Sequence, residues 1–429
     1  MKKASSIAGK FLLQTKLFWG LAALYLAGII LSPINRHGVN IFLSPGNQSD
    51  VLRQVSNNGI IAVGMTLVII TAGIDLSVGS TMGFGSLLTA MLLSQTGWSA
   101  ASAISVPILV LTCLFLFVYL VPLISVGIRR ESAKAAGRAG PMSTLLGWVL
   151  GVVAAGIALY FCSSEVEHKF GVLGVLIAVP AVGLAIGALN GVIIARFKMQ
   201  PFIVTLAMMV AVLGIGRLVA GPNQAIYPLD SINSTPNFTV LRELVFEIIP
   251  VPGIFFLVAV FVFGFLLKST VFGRYVYALG GNEQAARLAG VRVDQVKIAT
   301  YALSGMLAAL SGVLYAAQYR QGLADAGTGT ELNAIAAVVI GGTNLMGGKG
   351  SMTGTLVGVL IFGFLGNILL LKNIDSNTQL VLKGAIIIIA VLLQEGQGGS
   401  WWKRIKMKMQ PEAKTAESKP LEVSSTTKP

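Results

Sequence analysis

The sequence has little charge for its length. Only 11% of its 429 residues are Asp, Glu, Lys or Arg, whereas a soluble domain carries about 25%. A soluble fold of this size would need far more charge to cover its surface. Several stretches of about 18 or more apolar residues also argue against a soluble protein. The shortage of charge therefore predicts a membrane protein.

Cysteine and histidine are also scarce. The chain has two cysteines, Cys113 and Cys162, and two histidines, His37 and His168. Two cysteines set no disulfide framework, and two histidines in predicted loops supply neither a metal site nor a catalytic pair. We therefore expect no metal, no cofactor and no catalytic residue, and we expect that the chain is not an enzyme.

Apolar residues, in contrast, make up 55% of the chain. They predict an all-α fold, a polytopic transmembrane helix bundle over residues 17–395. The twelve candidate spans are 17–34, 55–74, 77–95, 102–128, 143–162, 171–195, 201–221, 252–268, 298–318, 332–346, 350–371 and 379–395. Glycines at 183, 187 and 191 repeat every four residues, a spacing that supports close helix packing in a membrane.

The net charge of +14 is distributed along the chain rather than gathered in one patch. If the N-terminus is cytoplasmic, most of the 31 Lys and Arg residues fall on the cytoplasmic side, as the positive-inside rule requires. Both tails, 1–16 and 396–429, are then cytoplasmic, and no nucleic-acid partner is expected. Trp401 and Trp402, which precede several basic residues, suit contact with membrane lipid. From Pro411 onward the composition predicts disorder.

The segment 272–297 is a charged, amphipathic loop between two apolar spans. Asn282 can cap a short helix that opens with Glu283, and Gly290 can end it. Such a helix outside the bilayer can dock on a partner protein, or it can lie on lipid as an interfacial helix. The residues of this loop leave both interpretations open.

Two apolar runs are interrupted by short polar breaks. Asp75 follows the first run, where it can cap the next helix or serve as part of a substrate path or gate. The second break, 341–351, resembles a phosphate-binding loop but lacks its first Gly and its Ser or Thr after Lys349. The chain therefore has no ATP site of its own. The candidate break or gate residues are Gly73, Asp75, Ser77, Gly79, Gly342, Asn344 and Gly348, and the two breaks align as a possible internal repeat.

Four segments resemble the permeases of sugar-type ABC importers, the ribose permease group in particular. They are residues 64–80 (GMTLVIITAGIDLSVGS), 199–209, 277–312 and 326–356. The resemblance implies a homodimer in the bacterial inner membrane that works with an ATP-binding cassette subunit and an extracytoplasmic sugar-binding protein. It also implies that segment 272–297 is the loop that couples to the ATP-binding subunit. The residues it assigns to this coupling are Glu283, Ala285, Ala286, Arg287 and Gly290.

The chain departs from that family by an insertion at about 121–170, which adds a pair of spans to a core of about ten. The function implied is import of a ribose-like monosaccharide, driven by ATP hydrolysis in the partner. An ion-coupled secondary transporter that acts without an ATPase is the alternative. The charged loop favours the importer. The small number of acidic residues within the predicted spans disfavours the ion-coupled carrier.

Overall fold

The structure is a computed structural model. It describes residues 16–95, 97, 99–113, 149–160, 162, 170–221, 226–229 and 236–396. The predicted N-terminal tail up to residue 15, most of the predicted insertion and the C-terminal tail beyond residue 396 lie outside the described residues. The described residues up to 381 form one compact unit, and the described residues from 382 onward belong to a second. The packing described below is that of the first unit.

Helices make up most of the described chain. In order they are α1 Lys16–Leu31, α2 Pro45–Ile70, α3 Val78–Ser94, α4 Ala100–Cys113, α5 Val149–Tyr160, α6 Val172–Arg196, α7 Pro201–Ala220, α8 Val251–Ser269, α9 Val271–Gly281, α10 Glu283–Leu288, α11 Val293–Tyr319, α12 Thr330–Ile340, α13 Met352–Leu371 and α14 Ser376–Gly396. The prediction of an all-α chain misses four short strands, β1 Ile226–Pro228, β2 Leu244–Val245, β3 Ile249–Pro250 and β4 Gln321–Leu323. Strand β1 pairs antiparallel with β4, and β2 with β3.

The helices agree with a polytopic membrane protein. Within the described residues, five helices are long and apolar enough to cross a membrane, namely α6, α7, α8, α11 and α13. Helices α1, α3, α4, α5 and α12 are apolar but shorter. The count of twelve spans is therefore not confirmed by helix length and composition.

Two predicted spans have different bounds in the structure. Helix α2 begins at Pro45, ten residues before the predicted start, because the Ser44 side chain accepts a hydrogen bond from the Asn47 N–H and caps it. Because its first turns are polar, a hydropathy scan does not include them in the span. The predicted span 332–346 is wrong, since α12 has only 11 residues. It rises about 16 Å, about half of a hydrocarbon core.

Helix α11 is central to the packing, and α6 lies against it through the predicted glycines. A Cβ atom at Gly183 would overlap Gly305 and Ala309, and one at Gly187 would overlap the Tyr301 backbone. Because neither glycine has a side chain, the two helix backbones approach closely. The predicted glycine packing is confirmed at these positions.

Replacing Gly187 by leucine should therefore separate α6 from α11 and destabilise the bundle. Overpacking of this kind costs about 1–3 kcal/mol or more, because backbone rather than a flexible side chain must move. We expect a lower level of protein in the membrane and a lower melting temperature in detergent. Gly214 has nothing within 4 Å of an added Cβ, so Gly214→Leu is the matched control. Equal melting temperatures for the two variants would contradict this packing.

Candidate functional site

Asp75 lies at the break between α2 and α3 and has no exposed surface. Its Oδ1 accepts hydrogen bonds from the Ser77 N–H at 3.0 Å and the Ser77 hydroxyl at 2.6 Å. Its Oδ2 accepts a hydrogen bond from the Ser304 hydroxyl of α11 at 3.0 Å. The bond to the Ser77 N–H has the geometry of an Asx turn just before α3, whose N-cap residue is Ser77.

The break is deep in the bundle and not at its surface. Ser304, which holds Asp75, is eleven residues after Val293, the first residue of α11. It is therefore about 16 Å along a helix that is about 40 Å long. Such a depth makes Asp75 a buried carboxylate within the membrane-spanning part of the chain, where ionisable residues are costly and usually functional.

The surroundings of Asp75 include residues that the sequence analysis did not select. The Asn190 side-chain N–H of α6 donates to the Ser77 hydroxyl at 2.9 Å. The Tyr301 hydroxyl and the Asn190 Oδ1 are both buried and have no hydrogen-bond partner. Unpaired buried polar atoms are rare in native proteins and need an explanation. A polar residue inside an apolar run, such as Asn190, is the signal that could have identified this cluster.

The two breaks share one way of ending a helix. The N–H of Ala72 donates to the carbonyl three residues earlier, and that of Gly73 to the carbonyl five residues earlier. Gly342 and Thr343 repeat both bonds at the end of α12. Ala72 and Gly342 both have positive φ, as a Schellman-type helix end requires. The internal similarity therefore exists in the backbone of the two helix ends, where Ala72 corresponds to Gly342.

The second break is a compact turn that displays one apolar side chain. The Asn344 Oδ1 accepts from the Met346 N–H at 3.0 Å, the same Asx turn that Asp75 makes. The Asn344 N–H donates to the carbonyl of Lys349, which closes the turn. Met346, at the tip of this turn, is 81% exposed.

Helix α9 contacts both breaks. The Gly348 N–H of the second break donates to the Ile70 carbonyl at the end of α2. Gly280 of α9 packs against both of these backbone groups, with no space for a Cβ atom. The Tyr277 hydroxyl of α9 also donates to the Gly350 carbonyl at 2.8 Å. A displacement of α9 would therefore act on the two breaks together.

A cavity of about 270 Å³ lies between the first break and the loop that follows α9. Gly73 and Tyr301 line the part next to the break, and Asn282, Glu283 and Lys297 line the part next to the loop. The cavity separates Gly73 and Tyr301 from the residues at the start of α10.

Helix α10 has the ends that the sequence predicts. The Asn282 side chain accepts from the Ala285 N–H at 2.9 Å and caps the helix. Gly290 ends it with φ of +84°. Glu283 pairs with Lys297 at 2.8 Å and with Arg287 at 3.4 Å. The pair with Lys297, and a further pair between Arg287 and Asp294 at 3.3 Å, connect α10 to the first turns of α11.

The charge of Glu283 is stabilised by its neighbours. Partial burial alone would raise the pKa of Glu283, but hydrogen bonds and attraction from Lys297 and Arg287 outweigh it and lower the pKa. A lowered pKa stabilises the fold above the usual carboxylate range, and the contribution is lost as the pH falls through the lowered value. The side chain is 43% exposed, so solvent screens much of this effect.

The exposed residues of α10 differ partly from those expected. Ala286 is 5% exposed and faces the bundle, so its assignment as a contact residue needs correction: its small side chain lets α10 lie close to the bundle. Ala285, Arg287 and Gly290 are exposed. Leu288, which was not among the expected contact residues, is 90% exposed. Leu288 is therefore the large apolar side chain that α10 leaves uncovered in the single chain.

The segment between α11 and α12 consists of strand β4 and the turns of residues 324–329, and it lies against α3. Gly322 packs against Leu87, Ala324 against Gly83, and Gly327 against Gly79. Gly79 is in the first turn of α3 and not in the break itself. The segment therefore follows α3 from Leu87 to Gly79 before α12 begins at Thr330.

An ion pair lies on the surface of this segment. Arg217 of α7 and Asp325 are 2.9 Å apart, and their side chains are 63% and 41% exposed. The neighbouring Ala324 packs against Gly83, about 16 Å from the end of α3 at Ser94. Arg217 lies in the last turn of α7, so the pair is near the end of that span and can contact water.

The sequence matches the family described as branched-chain amino acid transport system / permease component over residues 47–391. The chain belongs to this permease family. It is 37% identical over 362 residues to the ribose import permease protein RbsC of Escherichia coli (strain K12), covering 82% of this chain and 86% of the relative. No solved structure matches this permease.

Other relatives of this permease carry the names of sugars. The ribose import permease protein RbsC of Bacillus subtilis (strain 168) is 35% identical over 370 residues, 86% of this chain and 90% of the relative. The xylose transport system permease protein XylH of Escherichia coli (strain K12) is 32% identical over 362 residues, 82% and 85% of the two chains.

Proposed function

We propose that the chain is the membrane-spanning permease subunit of a bacterial ABC importer that translocates a ribose-like monosaccharide across the inner membrane. A separate ATP-binding cassette subunit hydrolyses the ATP, and an extracytoplasmic sugar-binding protein delivers the sugar. The observation that carries this function is the position of α10. It exposes Leu288 to a partner and is connected through α9 to both helix breaks.

Coupling follows from that connection. The ATP-binding subunit moves α10, and the ion pairs of Glu283 transmit the motion to α11. Gly280 transmits it to the end of α2 and to Gly348 in the second break. Asp75 lies just after the end of α2, where Gly73 and Tyr301 line the cavity. The breaks then act as the gate of the transport path.

The path itself runs along the surface of Arg217 and Asp325. Both side chains are exposed in the single chain, near the end of α7 and next to strand β4. In a homodimer this surface can face its symmetry mate across a water-filled path. The hydroxyls of Thr328 and Thr330 on the same segment suit a polyhydroxylated substrate.

The relatives support a sugar as the substrate. Those matched over most of their length are named for ribose and xylose, although the family description names branched-chain amino acids. The ion-coupled alternative is not favoured. The matched family is described as the permease component of a transport system, a description that implies further subunits.

The proposed function requires α10 on the cytoplasmic side and the β2–β3 turn on the other. In a variant with Cys113 and Cys162 replaced by serine, Gln284→Cys should resist an impermeant thiol reagent in intact cells. Glu247→Cys should react with the same reagent. Both residues are exposed, so only the side of the membrane distinguishes them. Labelling of Gln284→Cys from outside would contradict coupling to a cytoplasmic ATPase.

A further inference from the structure

The turn between β2 and β3 has an unusual backbone. Phe246 and Glu247 have φ of +53° and +60°, and the Ile248 N–H donates to the Val245 carbonyl across them. This is a type I′ turn, which asparagine and glycine favour and which is unfavourable for a bulky residue such as phenylalanine. Phe246 and Glu247 therefore place backbone strain in this turn.

The strained turn leaves an aromatic ring exposed. Phe246 is 87% exposed and Ile248 62% exposed. The rest of the hairpin is fixed to the bundle, because the Ser49 hydroxyl of α2 donates to the Ile248 carbonyl and the Val251 N–H donates to the Glu243 carbonyl. A fixed backbone that holds an apolar tip outward is the geometry of a preformed docking element.

The hairpin lies at the opposite end of α8 from the α9–α10 segment. Helix α8 has 19 residues and begins directly after β3, so about 28 Å separates the two ends. The first turn of α2, which holds the hairpin, belongs to a 26-residue helix. That helix is about 39 Å long and exceeds the hydrocarbon core of about 30 Å. The hairpin tip is therefore well placed to stand outside the hydrocarbon.

The charges around Phe246 indicate whether the hairpin tip contacts a protein or the membrane. Glu243 and Glu247 are both exposed beside Phe246, and Arg242 is half-buried. Carboxylates at this position repel the anionic headgroups of a bacterial membrane. They instead complement a basic patch on a protein surface. An apolar tip with an acidic rim favours a protein partner with an apolar pocket and a basic edge.

We propose that the β2–β3 turn, with Phe246 as its anchor and Glu243 and Glu247 as its rim, docks the extracytoplasmic sugar-binding protein. Its position at the end of α8 opposite α10 assigns it to that partner and not to the ATP-binding subunit. This inference rests on the proposed function, which supplies the partner. It adds the residues and the chemistry of the contact.

The test replaces the strained turn by the pair that the turn type prefers. Phe246→Asn combined with Glu247→Gly keeps the type I′ geometry and removes the anchor and part of the rim. In proteoliposomes with the ATP-binding subunit, basal ATP hydrolysis should be unchanged and the melting temperature equal or higher. Half-maximal stimulation by the purified sugar-binding protein should require at least about tenfold more of it, as for a lost interface anchor. Val39→Asn, another exposed apolar residue, is the control and should have no effect.

A second measurement does not depend on the ATPase. A photo-reactive phenylalanine analogue at position 246 in native membranes should crosslink to the purified sugar-binding protein. Crosslinks to lipid alone or to a second copy of the chain would overturn the docking role, as would unchanged stimulation of the Asn–Gly variant. If the wild-type chain fails to recruit the ATP-binding subunit, the proposed function fails. The crosslink at position 246 still decides the role of the hairpin.

Discussion

Replacing Leu288 by aspartate should lower ATP-driven uptake at least about thirtyfold, the effect of losing an interface anchor worth about 2 kcal/mol. Leu288 is 90% exposed at the end of α10, and the introduced carboxylate would have to enter an apolar pocket of the ATP-binding subunit without a partner. The substitution touches no part of the helix bundle. The amount of permease in the membrane should therefore be unchanged, while the ATP-binding subunit should fail to co-purify.

The control for this variant is Val39→Asp, which places the same charge at another exposed apolar residue far along the chain from α10. It should retain uptake and co-purification. Co-purification of the ATP-binding subunit with Leu288→Asp at the wild-type level, together with normal uptake, would remove α10 from the coupling role.

Replacing Asp75 by alanine should cost about 3 kcal/mol, because the Ser77 N–H and the Ser77 and Ser304 hydroxyls lose their acceptor in a buried site. Asp75→Asn should instead transport within about twofold of the wild type, since asparagine caps nearly as well. Its amide oxygen can accept from Ser77, and its amide N–H can donate to the Ser304 hydroxyl. Uptake is measured at matched levels of protein in the membrane.

The two Asp75 variants separate the cap interpretation from the substrate or gating interpretation. If the carboxylate binds sugar hydroxyls or moves charge during gating, the asparagine variant loses transport while the complex still assembles. A fully assembled but inactive Asp75→Asn protein would therefore contradict the cap interpretation. Asn344 already places an amide in the corresponding Asx turn of the second break.

The parts of the site that the sequence predicts well are those determined by neighbouring residues. The Asn282 cap and the Gly290 stop of α10 depend on groups within a few positions, and local chemistry decides them. The same holds for the positive φ at Gly342 that ends α12. Glycine spacing in α6 also predicted the close approach to α11, although not the identity of the partner helix.

What the sequence could not predict depends on residues distant in the chain. Ser304 holds Asp75 from 229 positions away, so no local pattern places the carboxylate deep in the bundle. Ala286 and Leu288 have similar helix propensity, and only the packing of α10 shows which is buried and which is exposed. Hydropathy also assigned a span to residues 332–346, because it does not show that α12 ends at Ile340 or that the segment before Thr330 packs on the glycines of α3.

The contacts of α9 with both breaks explain how motion of α10 could reach the two breaks. Gly280 and Tyr277 contact backbone groups of the two breaks, so a single rigid helix can change both helix ends at once. The Tyr301 hydroxyl and the Asn190 Oδ1 lack hydrogen-bond partners in this conformation. We expect them to gain partners when the first break rearranges.

Uptake of labelled substrates by the reconstituted complex tests the central claim most directly. Proteoliposomes would hold the permease and its ATP-binding subunit, with the sugar-binding protein on the outer side. Labelled ribose, glucose and leucine would be compared with and without ATP in the absence of ion gradients. We expect ribose to accumulate only when ATP and the ATP-binding subunit are both present, and we expect no accumulation of leucine. Accumulation of leucine, or of sugar by the permease alone when an ion gradient is imposed, would contradict the central claim.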